Sequence, residues 1–262
     1  MPVRQDNWLG PAAGSRMVVA GGCGGIGQEL VREATARGIE VIVLDLPQSR
    51  DAQQDIPCVG YIGFDARDPD STHAAVGRVA ASWDRVDSFV FLCGYPILPR
   101  RPLQEVPLKA WNELMEVNLT SAYLLAGGLL PLLRKSEQAS IVTVASSLAY
   151  QVMPGMGAYA TSKGGLVSLT KALAMECAPQ VRANVVAPGA VDTEFLGGGT
   201  GRVPETDRGW FDAMADKYVA SIPLGRVARP ADVTGPIFFL AGPGSAYMTG
   251  QVLHLNGGRM TP

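Results

Sequence analysis

Tyr159 and Lys163, in the stretch "YATSK", are the two residues whose types and spacing most directly offer chemistry. On a helix, positions i and i+4 share a face, so the Lys163 ammonium would stand beside the Tyr159 phenol. A free tyrosine has a pKa of about 10, and a neighbouring ammonium favours the phenolate. A tyrosine tuned in this way can take a proton from an alcohol or return one to a carbonyl oxygen. The same spacing also describes an ordinary surface pair, so its surroundings must decide. Ser146 closes the apolar run "SIVTVAS" shortly before Tyr159. Its hydroxyl is suited to hold the same substrate oxygen.

The second chemical signal is the turn "AGGCGGIG", Ala20–Gly27. Gly21, Gly25 and Gly27 let a backbone approach a pyrophosphate with no Cβ in the way. The helix that follows offers free N–H groups and the positive end of its dipole to an anion. Asp45 ends the next apolar run. A carboxylate there accepts hydrogen bonds from both ribose hydroxyls of NAD and repels the 2′-phosphate of NADP. Gly22, Cys23 and Gly24 supply no basic side chain in the turn. NAD is therefore the expected cofactor and NADP the weaker alternative, with Arg50 a few residues on as the dissenting charge.

The elements that must position these groups follow from periodicity. Strands are expected at 17–20, 40–44, 59–64, 87–93, 140–146, 181–188 and 251–255. Helices are expected at 25–37, 69–83, 108–133, 157–177, 208–220 and 230–241. Strands alternating with helices imply a parallel sheet covered on both faces, with right-handed crossovers. Ligands in such sheets bind beyond the carboxyl ends of the strands, which is where Ser146 falls. The segment Leu196–Gly209 is loop-like and is expected to belong to a substrate lid at about 193–227. Residues 1–15 are expected to be a tail on a single domain, 16–262.

Composition narrows the function classes. The chain has 262 residues, a net charge of −2 and no basic block, which argues against nucleic acid as a partner. Four widely spaced cysteines read as free thiols of a reducing cytoplasm. Two histidines supply a metal site or a Ser-His-Asp triad poorly, so no metal is expected. The first sixteen residues lack the long apolar core of a signal peptide. The apolar run Val117–Leu133 falls short of the roughly 20 residues a bilayer span needs, so a buried helix is expected and no membrane partner.

Gly21, Gly25, Gly27, Asp45, Asn118, Ser146, Tyr159, Lys163, "NVVAPGAVDT" and the closing "YMTGQVLHLNGG" together resemble the short-chain dehydrogenase/reductase family. The resemblance runs from about Ser15 to Gly258. It implies a Rossmann-type, doubly wound, seven-stranded parallel sheet. It implies a general acid/base role for Tyr159, substrate orientation by Ser146, and a Lys163 that tunes Tyr159 and holds the nicotinamide ribose. Asn118 would anchor a water that relays protons to Lys163. Cofactor contacts are implied for Cys23, Gly24, Ile26, Leu46, Asp65, Ala66, Cys93, Gly94, Pro188, Gly189, Val191 and Thr193. A homotetramer is implied as well.

Two positions depart from the family pattern. Ala20 stands where threonine is usual, and Phe91-Leu92-Cys93-Gly94 replaces the usual Asn-Asn-Ala-Gly, which puts a polar network between strands in doubt. Three functions remain open. The first is an NAD(H)-dependent oxidoreductase acting on a small secondary alcohol or its ketone. The second is a 3-oxoacyl-thioester (acyl carrier protein) reductase using NADPH, and the third a catalytically silent nucleotide-binding protein. Tyr95, Tyr150, Met153, Met156, Trp210, Phe211 and Met214 are candidates for the substrate wall. Arg100 and Arg101 are candidates to meet an anion or to lie in solvated loop.

Overall fold

The structure, a computed structural model, describes residues 8–52, 56–197 and 209–261, with residues 209–214 described by backbone alone. Seven strands form one sheet: β1 (Arg16–Ala20), β2 (Glu40–Asp45), β3 (Gly60–Gly63), β4 (Ser88–Phe91), β5 (Ala139–Val144), β6 (Val181–Pro188) and β7 (Val252–Leu255). Their order is β3-β2-β1-β4-β5-β6-β7, and every pair is parallel. The chain winds outward from β1 in one direction, then returns and winds outward from β4 in the other. The two halves part between β1 and β4, the place where an open parallel sheet leaves a crevice at its carboxyl rim.

The strand pleat explains the two cores. Met17 and Val19 of β1 face one side, with Val41 and Val43 of β2. They pack on Leu30, Val31 and Ala34 of α1 (Gly25–Ala36) and on Val233, Ile237 and Phe238 of α8 (Pro230–Ala241). Val18 and Ala20 face the other side with Ile42 and Leu44. That layer is closed by α3 (Pro69–Ser82), α5 (Ser121–Leu133) and α6 (Gly157–Cys177). Strands buried on both faces read as unbroken apolar runs, which is what "MVVA" and "EVIVL" are.

Local signals end the elements where the physics requires. Gly38 takes a φ of +74° and stops α1. Asp68 accepts the Asp70 N–H at 2.9 Å and caps α3. The short α2 (Pro47–Asp51), a helix the periodicity does not signal, is packed beside the end of β2. The expected single helix 108–133 is continuous but not uniform. It runs as α4 (Leu108–Met115), a π-helical turn at Glu116–Thr120, and α5. By length and composition alone this stretch could cross a bilayer, yet Leu125, Leu129 and Leu133 are fully buried in the core.

The N-terminal segment from Trp8 lies on the domain. The Trp8 ring packs 5.1 Å from Phe238, and the Gly244 N–H donates to the Leu9 carbonyl at 3.0 Å. α7 (Gly209–Ala220) lies within the span expected as a lid, about 193–227. Most of Leu196–Gly209, and the side chains of Trp210, Phe211 and Met214, fall outside the described residues.

Candidate active site

One cleft runs along the carboxyl rim of the sheet, from the ends of β1 and β2 past β4 and β5 to the loops after β6 and β7. Its inner half is mostly backbone. The Gly21–Gly27 turn leads from β1 into α1, and Gly24 precedes the helix with extended backbone and no side-chain cap. A Cβ on Gly27 would stand 2.4 Å from the Gly21 carbonyl oxygen, so the turn can close only around glycine. Gly21 has φ +83° and lies against the Leu92–Cys93 peptide, where a Cβ would come within 2.8 Å of the Cys93 nitrogen.

Asp45 closes this half. Its carboxylate accepts the Cys23 N–H and the Leu46 N–H, each at 2.8 Å, and a hydrogen bond from Ser49. Burial nonetheless pushes its pKa up. Leu46, Ser49, Phe64, Asp65 and Ala66 continue the wall. Arg50 is turned toward the Tyr61 ring, 5.5 Å from its centroid, and donates to the Ile56 carbonyl at 3.5 Å.

The middle of the cleft holds the reactive side chains. Tyr159 and Lys163 lie on α6, both buried. Lys163 Nζ stands 5.9 Å from the Tyr159 ring centroid and donates to the Val144 carbonyl at 3.0 Å and the Cys93 carbonyl at 3.5 Å. The Ser146 hydroxyl hydrogen-bonds with Tyr159 and also accepts the Leu148 N–H at 3.1 Å, capping a short 3₁₀ turn. Phe195 packs on the Tyr159 ring at 5.9 Å between centroids.

The electrostatics differ from the expectation in order of size. Burial raises the Tyr159 pKa, with the Ser146 hydrogen bond opposing it, while burial lowers Lys163 to about 8. Desolvation outweighs the ammonium because Nζ is turned to two main-chain carbonyls and not to the phenol oxygen.

Asn118 sits in the π-helical turn and is fully buried, behind the cleft wall. Its Oδ1 accepts the Tyr95 N–H at 3.1 Å. Its Nδ2 donates to the Tyr95 carbonyl at 3.1 Å and to Ser162 Oγ at 3.0 Å. Gly94, at φ +154°, fits between Asn118 and Lys163: a Cβ there would lie 3.0 Å from Lys163 Nζ and 3.2 Å from Asn118 Oδ1.

Of the residues singled out in the sequence, Gly21, Gly24, Gly25, Ile26, Gly27, Asp45, Leu46, Asp65, Ala66, Cys93, Gly94, Ser146, Tyr159, Lys163, Pro188, Gly189, Val191 and Thr193 all line this one cleft. Cys23 does not. Its side chain is fully buried in the β1–β2 core, and burial beside Asp45 pushes the thiol up to about 12. Tyr150 is also turned away and packs edge-on against His254 at 4.6 Å. Tyr95, Met153, Met156 and Arg100 do line the cleft; Arg101 does not.

Several lining residues were not visible in the sequence. Ser49 reaches Asp45, Phe195 covers Tyr159, and Tyr218 and Arg259 close the outer end. Ser49, Phe195 and Arg259 come from short or irregular segments whose position no periodicity specifies, while Tyr218 lies on the expected helix α7, whose packing over the cleft is not local information.

Residues 21–260 match the family described as Enoyl-(Acyl carrier protein) reductase, a group within the short-chain dehydrogenases/reductases. The chain belongs to the short-chain dehydrogenase/reductase family. It is 30% identical to a 3-oxoacyl-(acyl-carrier-protein) reductase of Vibrio cholerae over 250 residues, covering 94% of this chain and 97% of that protein. It is also 30% identical to a cis-4-hydroxycyclohexanecarboxylate dehydrogenase of Sinomonas cyclohexanicum, over 95% of this chain and 98% of that one. Among solved structures it resembles a putative NAD(P)-dependent gluconate 5-dehydrogenase of Beutenbergia cavernae, determined with NADP at low occupancy. That likeness has a TM-score of 0.83 at 32% identity and covers 95% of this chain and 98% of that chain. These relatives make the chain an oxidoreductase of this family, and its single-domain, seven-stranded parallel architecture is the family's Rossmann-type fold.

The inner half fits a dinucleotide on its own geometry. The glycine turn presents main chain to the cleft, packed too closely for a Cβ at Gly21 or Gly27, the uncapped start of α1 lines it, and an acidic side chain ends β2.

Proposed function

We propose that the protein is an NAD(H)-dependent oxidoreductase that interconverts a small secondary alcohol and the matching ketone, with Tyr159 as general acid/base. The observation that carries this reading is the convergence of Tyr159, Ser146 and Lys163 in the cleft that also holds the glycine turn and Asp45. When bound, the nicotinamide exchanges hydride with the substrate carbon. Gly24, Gly25, Ile26 and Gly27 would hold the pyrophosphate, Asp45 the adenosine ribose, and Asp65 and Ala66 the adenine. Cys93, Gly94, Pro188, Gly189, Val191 and Thr193 would bound the nicotinamide half.

The chain's own groups handle the proton. Ser146 Oγ orients the substrate oxygen beside the Tyr159 oxygen; after the phenol has lost its proton to solvent, the phenolate takes the alcohol proton as hydride leaves the carbon, and in reduction the phenol gives its proton to the carbonyl oxygen. Loss of that proton from a buried phenol is costly. Lys163, itself buried, then gains a reason to stay charged, because phenolate and ammonium stabilise one another in a dry site. Asn118 acts as a positioning residue: its amide is largely spent on Tyr95 and Ser162, which leaves little of it to anchor a relay water.

NAD over NADP rests on Asp45 and on the engagement of Arg50 with Tyr61. A second reading, an NADPH-dependent 3-oxoacyl-thioester reductase, is favoured by the Vibrio relative. Titration with NADH and NADPH, followed by tryptophan quenching, separates the two: tighter NADPH binding overturns the Asp45 argument. For the chemistry, alcohols are screened for cofactor reduction at alkaline pH. Tyr159→Phe is expected to lower kcat by about 100- to 10,000-fold. Full activity in that variant sinks the assignment.

The same reading carries the homotetramer and a cytoplasmic setting. Tyr123 on α5 and Met175 on α6 are large exposed apolar side chains available for a partner copy. Sedimentation measures the assembly directly.

A further inference from the structure

Two cationic side chains occupy the outer end of the cleft, and proton transfer uses neither. Arg100 stands on the loop after β4, half-buried, with its Cβ 2.9 Å from where a Gly155 side chain would begin. Arg259 comes from the chain after β7. Both line the same cleft as Tyr159 and Ser146.

Tyr218 of α7 links them. The Arg259 guanidinium carbon lies 4.7 Å from the Tyr218 ring centroid, and Tyr218 also acts electrostatically on Arg100. The Tyr218 hydroxyl accepts the Ala190 N–H at 3.3 Å, which ties this corner to the loop carrying Val191 and Thr193. Arg259 Nε donates to Ser221 Oγ at 3.0 Å. Among the described residues, no carboxylate pairs with Arg259 and its terminal nitrogens make no hydrogen bond.

The same cleft is lined by Leu98, Met153, Met156 and Leu196, and by Phe195, which packs on the Tyr159 ring. Desolvating a guanidinium costs free energy that an opposing anion returns. Arginine's planar fork matches the two oxygens of a carboxylate, a geometry that lysine lacks. The cofactor's phosphates cannot serve here, because the glycine turn that suits them lies at the other end of the cleft.

We propose that the substrate carries a carboxylate bound by Arg100 and Arg259, so that the enzyme acts on a hydroxy or oxo acid with an apolar body between the carboxylate and the reacting carbon. Calling that acid a substrate rests on the dehydrogenase reading above. The anion site itself rests on the two arginines.

The test is calorimetric titration of the full chain, saturated with NAD, with cyclohexanecarboxylate and with cyclohexanecarboxamide. The acid is expected to bind about ten- to a hundredfold more tightly, the range of a charge-assisted hydrogen-bonded pair. That preference falls toward unity in Arg259→Gln and in Arg100→Gln, and part of it returns in Arg259→Lys. Thermal melts and NADH binding establish that each variant folds, and Arg259→Lys keeps the test open should either glutamine variant fail. Equal binding of acid and amide, or a preference that survives in the double glutamine variant, overturns the anion site. A preference for cyclohexyl phosphate over the acid overturns the carboxylate. Binding is read without turnover. An acid-selective protein that oxidises no alcohol therefore sinks the dehydrogenase reading alone, and an active protein indifferent to acid and amide sinks only this one.

Discussion

The two ends of the cleft are built from different materials. The inner end is made of main chain: glycines packed against peptide groups, with one carboxylate held by the Cys23 N–H of the turn and by the N–H of its own neighbour Leu46. The outer end is made of long side chains from four separate loops and α7, with methionines, Phe195 and two arginines forming its wall. A backbone surface has little freedom to vary because each atom is also part of a strand or a helix start. A side-chain surface can change residue by residue without disturbing the sheet. The contrast teaches that this fold fixes the cofactor's place and leaves the substrate's identity to its loops.

Substitutions at the inner end should therefore be punished most. Gly27→Ala drives a Cβ into the Gly21 and Gly22 backbone, where no flexible group can yield. We expect a loss of about 2 kcal/mol or more, a fall in Tm of roughly 4–8 °C, and nearly abolished NADH binding. A Tm and an NADH affinity like the parent's would break the comparison.

Asp45→Ser tests selectivity within the same end. The ratio of NADPH to NADH affinity is expected to rise about tenfold or more, read by fluorescence titration. An unchanged ratio removes Asp45 from cofactor choice.

The smallest effect concerns pH. Folding lowers the Lys163 pKa from 10.5 to about 8, so between those values the unfolded chain holds more protons. This group's contribution to stability therefore rises with pH from about 8 to 10.5. Tyr159, raised by burial, acts in the opposite sense above about pH 10. Urea midpoints at about pH 7.5 and about pH 9.5 should differ between the parent and Lys163→Met by an amount worth about 1 kcal/mol. Parallel midpoints would show that Lys163 is not desolvated as described.

Much of this was legible in the residues because the physics is local. "MVVA" and "EVIVL" had to be buried strands, Gly38 had to stop a helix, and Gly157–Cys177 is a helix over the residues its pattern predicts. Tyr159, Lys163 and Ser146 share one cleft because each sits at a fixed offset from a strand end or along one helix face. What the residues did not show is non-local. The helix 108–133 contains a π-helical turn that carries Asn118, whose amide bonds the Tyr95 main chain, a pairing invisible in periodicity. Cys23 looked like a pocket residue by position, yet its side chain is buried in the β1–β2 core, where it serves Asp45 through both its N–H and its thiol. Arg259 and Tyr218 lie far from each other in sequence, and only the closed fold makes them neighbours.

The departure at β4 also becomes intelligible. Phe91 is fully buried and meets Phe89 at 6.4 Å, so an aromatic core contact stands where a polar network would run between strands.

Asn118 grips the Tyr95 main chain at both its N–H and its carbonyl. A strap anchored so firmly at its root can change shape only toward its tip, at Leu98 and Arg100. On the proposed reading, substitutions at that tip change which substrate fits while Tyr159 and Lys163 at the root keep their alignment.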